Sequence, residues 1–119
     1  MSNAGLIIYH NPSCSKSRET MQILEDNNIA PRVIEYLDEP LTQQELKAIT
    51  EKLGVSARDL LRTTEPIYQE AKLDSDALSE DEIIAAICAH PILLQRPIVV
   101  SGERAVIGRP PAKVLEIIV

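Results

Sequence analysis

The stretch Leu6-Ile7-Ile8-Tyr9-His10-Asn11-Pro12-Ser13-Cys14-Ser15-Lys16-Ser17-Arg18 decides the fold. Its first four residues are an apolar run that stops at Asn11-Pro12, the pattern of a short buried strand ended by a turn. From Ser13 to about Asn28 the chain reads as a helix, with Ser13 or Ser15 as its cap, Met21 and Leu24 on one apolar face, and Asn27-Asn28 as its end. Arg32-Val33-Ile34-Glu35-Tyr36-Leu37 is rich in β-formers and reads as a second strand. A strand, a helix and a strand in that order imply a right-handed crossover.

The rest of the chain extends this start. Thr42 with Glu45 three residues on is a capping-box signature, Leu46, Ile49 and Leu53 give the helix behind it one apolar face, and Gly54 stops it. Ser56 to Arg62 predicts another short helix. Thr63 to Ser79 is polar and irregular, with a helical turn near Tyr68, and Ser79-Glu80-Asp81-Glu82 opens a helix that closes at His90-Pro91. Arg96-Pro97-Ile98-Val99-Val100 and Ala105-Val106-Ile107-Gly108 predict a hairpin around the turn Ser101-Gly102-Glu103-Arg104, and Pro110 to Val119 a terminal helix. The fold class expected is α/β: a mixed, four-stranded sheet flanked by helices, with a helical insert between the second and third strands.

Composition narrows the functional classes. The 119 residues fit one domain spanning 1–119, and a domain of that size buries about two-thirds of its unfolded surface. With no Trp and no Phe the core is expected to be mainly aliphatic. A net charge of −6 argues against non-specific binding to nucleic acid or to an anionic membrane. The longest apolar run, Ile83 to Ala89, is far too short to span a bilayer. Two cysteines do not make a disulfide scaffold, the N-terminus shows no targeting pattern, and a cytoplasmic location is expected. No His, Cys and Asp spacing suggests a metal, and Ser2-Asn3-Ala4 is given no functional weight.

Chemistry concentrates in the first loop. Cys14 stands where a strand turns into a helix, and there unpaired backbone N–H groups and the helix dipole favour a thiolate. The same N–H groups can cradle an oxyanion. His10, Lys16 and Arg18 add basic character, and Ser17 takes the place of the second cysteine of a Cys-x-x-Cys motif. Its hydroxyl is able to hydrogen-bond the sulfur but not to form a disulfide. Cys88, one turn after Ile84 in an apolar run, reads instead as a core residue.

The loop His10-Asn11-Pro12-Ser13-Cys14-Ser15-Lys16-Ser17-Arg18 resembles the active-site loop of the glutaredoxin-coupled arsenate reductase family. Leu60-Leu61-Arg62, the segment His90 to Val100 around Arg96-Pro97, and Ile107-Gly108-Arg109-Pro110-Pro111 resemble that family's three arginine sites, in the right order. The resemblance implies a thioredoxin-like fold and a cis bond at Arg96-Pro97. It implies that Cys14 is the nucleophile, that His10 and Ser17 tune it, and that Arg62, Arg96 and Arg109 surround the oxyanion. Guanidinium forks suit such a tetrahedral anion. The resemblance further implies reduction of arsenate to arsenite in arsenic detoxification, with no bound cofactor, glutathione as co-substrate and glutaredoxin as partner. Arg58 and Arg104 read as surface residues, and Arg18 as an orienter of the loop. The chain ends at Val119, where better-known members carry a C-terminal tail.

Two other readings fit the same fold. One is a regulator of the Spx type that binds RNA polymerase; such relatives usually carry Cys-x-x-Cys in this loop and usually lack an arginine where Arg109 stands, so Ser17 and Arg109 favour the enzyme. The other is a glutaredoxin-like thiol oxidoreductase, which has no need of three arginines.

Overall fold

Strand β1, Leu6–His10, is buried at four of its five positions; it is central in the sheet, and Leu6 and Ile8 join a core with Leu24 and Val114. It pairs in parallel with β2, Arg32–Glu35, with Ile8 opposite Val33, and antiparallel with β3, Ile98–Ser101, with Ile8 opposite Val99. Strand β4, Arg104–Ile107, closes the antiparallel hairpin with β3. The sheet order is β2-β1-β3-β4, the mixed four-stranded sheet expected of a thioredoxin-like fold. This computed structural model describes residues 5–118; Ser2-Asn3-Ala4 and Val119 lie outside the described residues.

The residues read as a single domain divide into two compact units, Met1–Glu39 with Arg96–Val119, and Pro40–Gln95. The first holds the sheet, helix α1 (Ser15–Asp26) and a terminal 3-10 helix (Pro111–Glu116). Leu6, Ile8, Leu24, Val99, Val114 and Ile117 form its core, with Met21, Ile23, Ile29 and Val106 packed against them. This core is aliphatic as expected, and Tyr36 is also wholly buried. Burial of such side chains stabilises by about 1.5–3 kcal/mol each. The terminal helix expected from Pro110 onward is present over Pro111–Glu116 and winds as a 3-10 helix. Its bonds run from Lys113 N–H to Pro110 O (3.0 Å) and from Ile117 N–H to Val114 O (3.2 Å), the i to i+3 spacing.

The second unit is the helical insert. Helix α2 (Gln43–Leu53) carries the full Thr42/Glu45 capping box and ends at Gly54 with φ 71°, a left-handed cap. A 3-10 turn (Ala57–Leu60), a short helix α3 (Pro66–Glu70) and helix α4 (Glu80–Ala89, capped by Ser79 and Glu82) follow. Leu46, Ile49, Leu60, Ile83, Ile84, Ile87, Leu93 and Leu94 are among its buried residues. No helix among the described residues is long and apolar enough to cross a membrane.

Candidate active site

The loop after β1 is closed by Asn11. Its carbonyl accepts the Cys14 N–H (3.0 Å), its side-chain Oδ1 accepts the Ser13 N–H (2.9 Å), and its own N–H donates to Ser17 Oγ (3.1 Å). Ser13 is therefore held in the turn and Ser15 is already helical, so neither serine caps α1. Cys14 itself is the N-cap residue, with an extended backbone at φ −96° and ψ 124°. Sequence reasoning took Asn11-Pro12 only as a turn; an Asx residue three positions before a cysteine was the available signal.

Burial pushes the Cys14 thiol up. The backbone N–H of Ser17, the Arg96 guanidinium and the N–H of Lys16 outweigh that, and the thiol lies below its ordinary value. Lys16 acts through its backbone, while its ammonium turns to Glu19 at 3.8 Å. Ser17 likewise reaches the sulfur through its N–H. Its hydroxyl is held 2.5 Å from His10 Nδ1. Burial, then the opposing carboxylate of Glu35, then Arg18 set His10, with a net result below the ordinary imidazole value. In the tautomer with its proton on Nε2, neutral His10 accepts the Ser17 hydroxyl proton at Nδ1, while the Ser17 oxygen accepts from Asn11 N–H. Arg18 donates from Nη1 to Pro12 O (2.9 Å), as befits an orienter of the loop.

Two arginines from the other end of the first unit complete the group. Arg96, 9% exposed, is one of the groups that lower the Cys14 thiol, and its Nε and Nη1 are buried without a hydrogen-bond partner. Arg109 donates from Nε to Arg96 O (2.7 Å) and from Nη2 to Cys14 Sγ (3.6 Å). Among the described residues no carboxylate forms a salt bridge with either. The Arg96–Pro97 bond is cis as the resemblance implied, and Arg109–Pro110 is cis as well. The first unit thus brings together Cys14, His10, Ser17, Arg96 and Arg109. Arg62 belongs to the second unit, where its Nε meets Glu65 Oε2 at 3.3 Å. Cys88, also in the second unit, is a partly buried free thiol; burial and then Glu45 push it up, the opposite of Cys14.

The arrangement offers a thiol lowered toward ionisation, two helix N–H groups and two guanidinium groups without carboxylate partners among the described residues, a set suited to a small oxyanion approaching sulfur. Comparison with known proteins agrees with the geometry. The chain is 46% identical over 114 residues to the arsenate reductase of Haemophilus influenzae, covering 95% of this chain and 98% of that one. It is 47% identical over 112 residues to the protein YfgD of Escherichia coli, covering 93% and 94%. The solved structure of an arsenate reductase from Vibrio cholerae superposes with a TM-score of 0.93 at 47% identity, covering 95% of this chain and 97% of that one. The ArsC family model matches residues 9–117, and this chain belongs to the ArsC family.

Proposed function

We propose that the chain reduces arsenate to arsenite, with Cys14 as nucleophile. The observation that carries this reading is Arg96: a buried guanidinium that lowers the Cys14 thiol, with Nε and Nη1 unpartnered and, among the described residues, no carboxylate in a salt bridge with it. Leaving such groups unpaired costs about 1–3 kcal/mol each, a cost that an oxyanion accepting both hydrogen bonds removes. Arg109 beside the same sulfur doubles the positive charge. Arg62 is assigned here as a third oxyanion contact, on the family pattern.

The Cys14 thiolate attacks As(V), forming an S–As bond, and one oxygen leaves as water after protonation. Glutathione then substitutes at the arsenic as a second thiol, forming an As–S bond as a second oxygen leaves as water. The thiol of glutaredoxin then attacks the glutathione sulfur, forming a mixed disulfide as two electrons pass to arsenic. Water cleaves the remaining Cys14–As(III) bond and releases arsenite. An outside thiol is needed because Ser17 replaces the second cysteine of the loop. His10 and Ser17 hold the loop around the sulfur. The cytoplasm, with its glutathione pool, is the compartment that suits this chemistry.

The test is arsenate-dependent NADPH oxidation coupled through glutathione, glutaredoxin and glutathione reductase. Wild type is expected to be active, Cys14→Ser inactive, and Arg96→Ala strongly impaired. A folded wild type inactive with several glutaredoxins overturns the reading. Full activity without glutathione or glutaredoxin overturns the electron route alone.

A further inference from the structure

Behind the arginines lies a contact that admits no side chain. A Cβ on Gly108 would stand 2.6 Å from Thr20 Oγ1, 2.7 Å from Pro97 Cγ and 3.3 Å from Pro97 Cδ. Real Cβ atoms essentially never approach within 3.0 Å. Gly5, Gly54 and Gly102 take left-handed backbones, but Gly108 does not, so space and not backbone conformation demands glycine at 108.

Each member of this contact is one bond or one hydrogen bond from the site. Gly108 N–H donates to Pro97 O (2.9 Å), locking the end of β4 to the start of β3. Gly108 directly precedes Arg109 and Pro97 directly follows Arg96. Thr20, wholly buried on α1, donates from Oγ1 to Lys16 O (2.9 Å), in the helical turn whose N–H groups face the sulfur. Thr20 therefore fixes the sulfur-bearing turn on one side and bears on the arginine-bearing backbone on the other.

We propose that Gly108 and Thr20 are positioning residues that set how closely Arg96 and Arg109 approach the Cys14 sulfur. Neither touches the reacting atoms; they act by fixing the separation between α1 and the joined ends of β3 and β4. A methyl at 108 forces that separation to widen. Arg109, held to the sulfur by a 3.6 Å contact, then loses its reach, and the Arg96 carbonyl bonded to Arg109 shifts with it. The proposal rests on Cys14 being the reactive thiol of the proposed function.

Its test is the pH profile of iodoacetamide alkylation at Cys14, in the full chain carrying Cys88→Ala, with a thermal melt alongside. Gly108→Ala is expected to move the thiol titration upward and slow alkylation about tenfold near neutral pH. Gly108→Ala with Thr20→Ala, which clears the contact with Oγ1, is expected to recover several-fold of that loss. Thr20→Val puts a methyl where the hydroxyl was and removes the bond to Lys16; a smaller shift in the same direction is expected. Thr20→Ser keeps that hydroxyl and is expected to stay within about twofold of the parent. A folded Gly108→Ala protein with the parent titration overturns the proposal, even if its melting temperature falls. Should Gly108→Ala fail to fold, Thr20→Val decides, and an unshifted profile there overturns it. Alkylation needs no arsenate, so a chain inactive on arsenate defeats the proposed function and leaves this test intact.

Discussion

Arg109 Nη2 lies 3.6 Å from Cys14 Sγ across 95 positions of sequence, and the same guanidinium donates through Nε to the carbonyl of Arg96. One side chain thus ties the sulfur to the backbone that carries the second arginine. A lysine there has one charged nitrogen and no fork. Arg109→Lys is expected to lower kcat/KM for arsenate by about ten- to a hundredfold, with a smaller loss of stability. Activity within twofold of wild type would show that the fork is not used.

The two cysteines are expected to part by pH. Cys14 lies below its ordinary value and Cys88 above it. Mass spectrometry after brief iodoacetamide treatment near neutral pH is expected to find Cys14 modified and Cys88 free. Linkage to stability has opposite signs for the two. A lowered thiol binds fewer protons in the folded state, so its contribution is present in full above the unfolded value near 9 and is lost as pH falls through the folded one. A raised thiol makes a contribution that is present below that value and lost as pH rises. Cys14→Ser is therefore expected to flatten the rise of stability with pH below about 9, and Cys88→Ala to remove a fall above it, as denaturant midpoints across pH can check.

His10 is expected to titrate below its ordinary 6.5 by NMR, remaining neutral at pH 7. Because its folded value is depressed, stability is expected to fall as pH drops below 6.5 through the folded value, and His10→Gln is expected to lose that dependence. An imidazole titrating above 6.5 would contradict the direction of proton sharing drawn for Ser17.

Ser17→Ala removes the acceptor of the Asn11 N–H and the partner of His10 Nδ1 together. The expected cost is about 1–3 kcal/mol in urea unfolding, together with slower Cys14 alkylation. Ser17→Cys keeps a weaker donor and acceptor and is expected to lose less.

On the proposed function, Arg62 is expected to separate binding from activation. Its pair is Glu65, and its neighbour in sequence, Leu61, is anchored by a bridge to Leu94. Arg62→Ala is expected to raise the KM for arsenate several-fold and leave the pH profile of Cys14 alkylation unmoved, whereas Arg96→Ala is expected to move both. A shifted alkylation profile in Arg62→Ala would assign it a role on the sulfur itself.

What the sequence disclosed was local. The box Thr42/Glu45, the acidic helix start at Ser79-Glu80-Asp81-Glu82 and the stop at Gly54 stand as read, because each is settled within one helical turn. Strand β2 ends at Glu35, earlier than the run to Leu37 suggested, because the N–H groups of Asp38 and Glu39 both turn back to the Glu35 carbonyl at 2.9 Å. Apolar character at Tyr36 and Leu37 could not reveal that competition. The meeting of Cys14, Arg96 and Arg109 is non-local and has no periodicity to betray it; resemblance alone pointed there. The close approach at Gly108 was legible only as a residue type, since the lack of a side chain says nothing of what would strike one.

The single sulfur in this loop has a chemical cost as well as a use. A thiol held below its ordinary value ionises more readily, and the thiolate is also the form that peroxide oxidises to sulfenic acid. Many such cysteines escape further damage by condensing with a neighbouring thiol, but Ser17, its hydroxyl committed to His10 and Asn11, offers none. Sulfenylated Cys14 then depends on a thiol from solution, and without one it proceeds to the irreversible sulfinic state. The lifetime of this protein under oxidant is thereby coupled to the thiol supply around it.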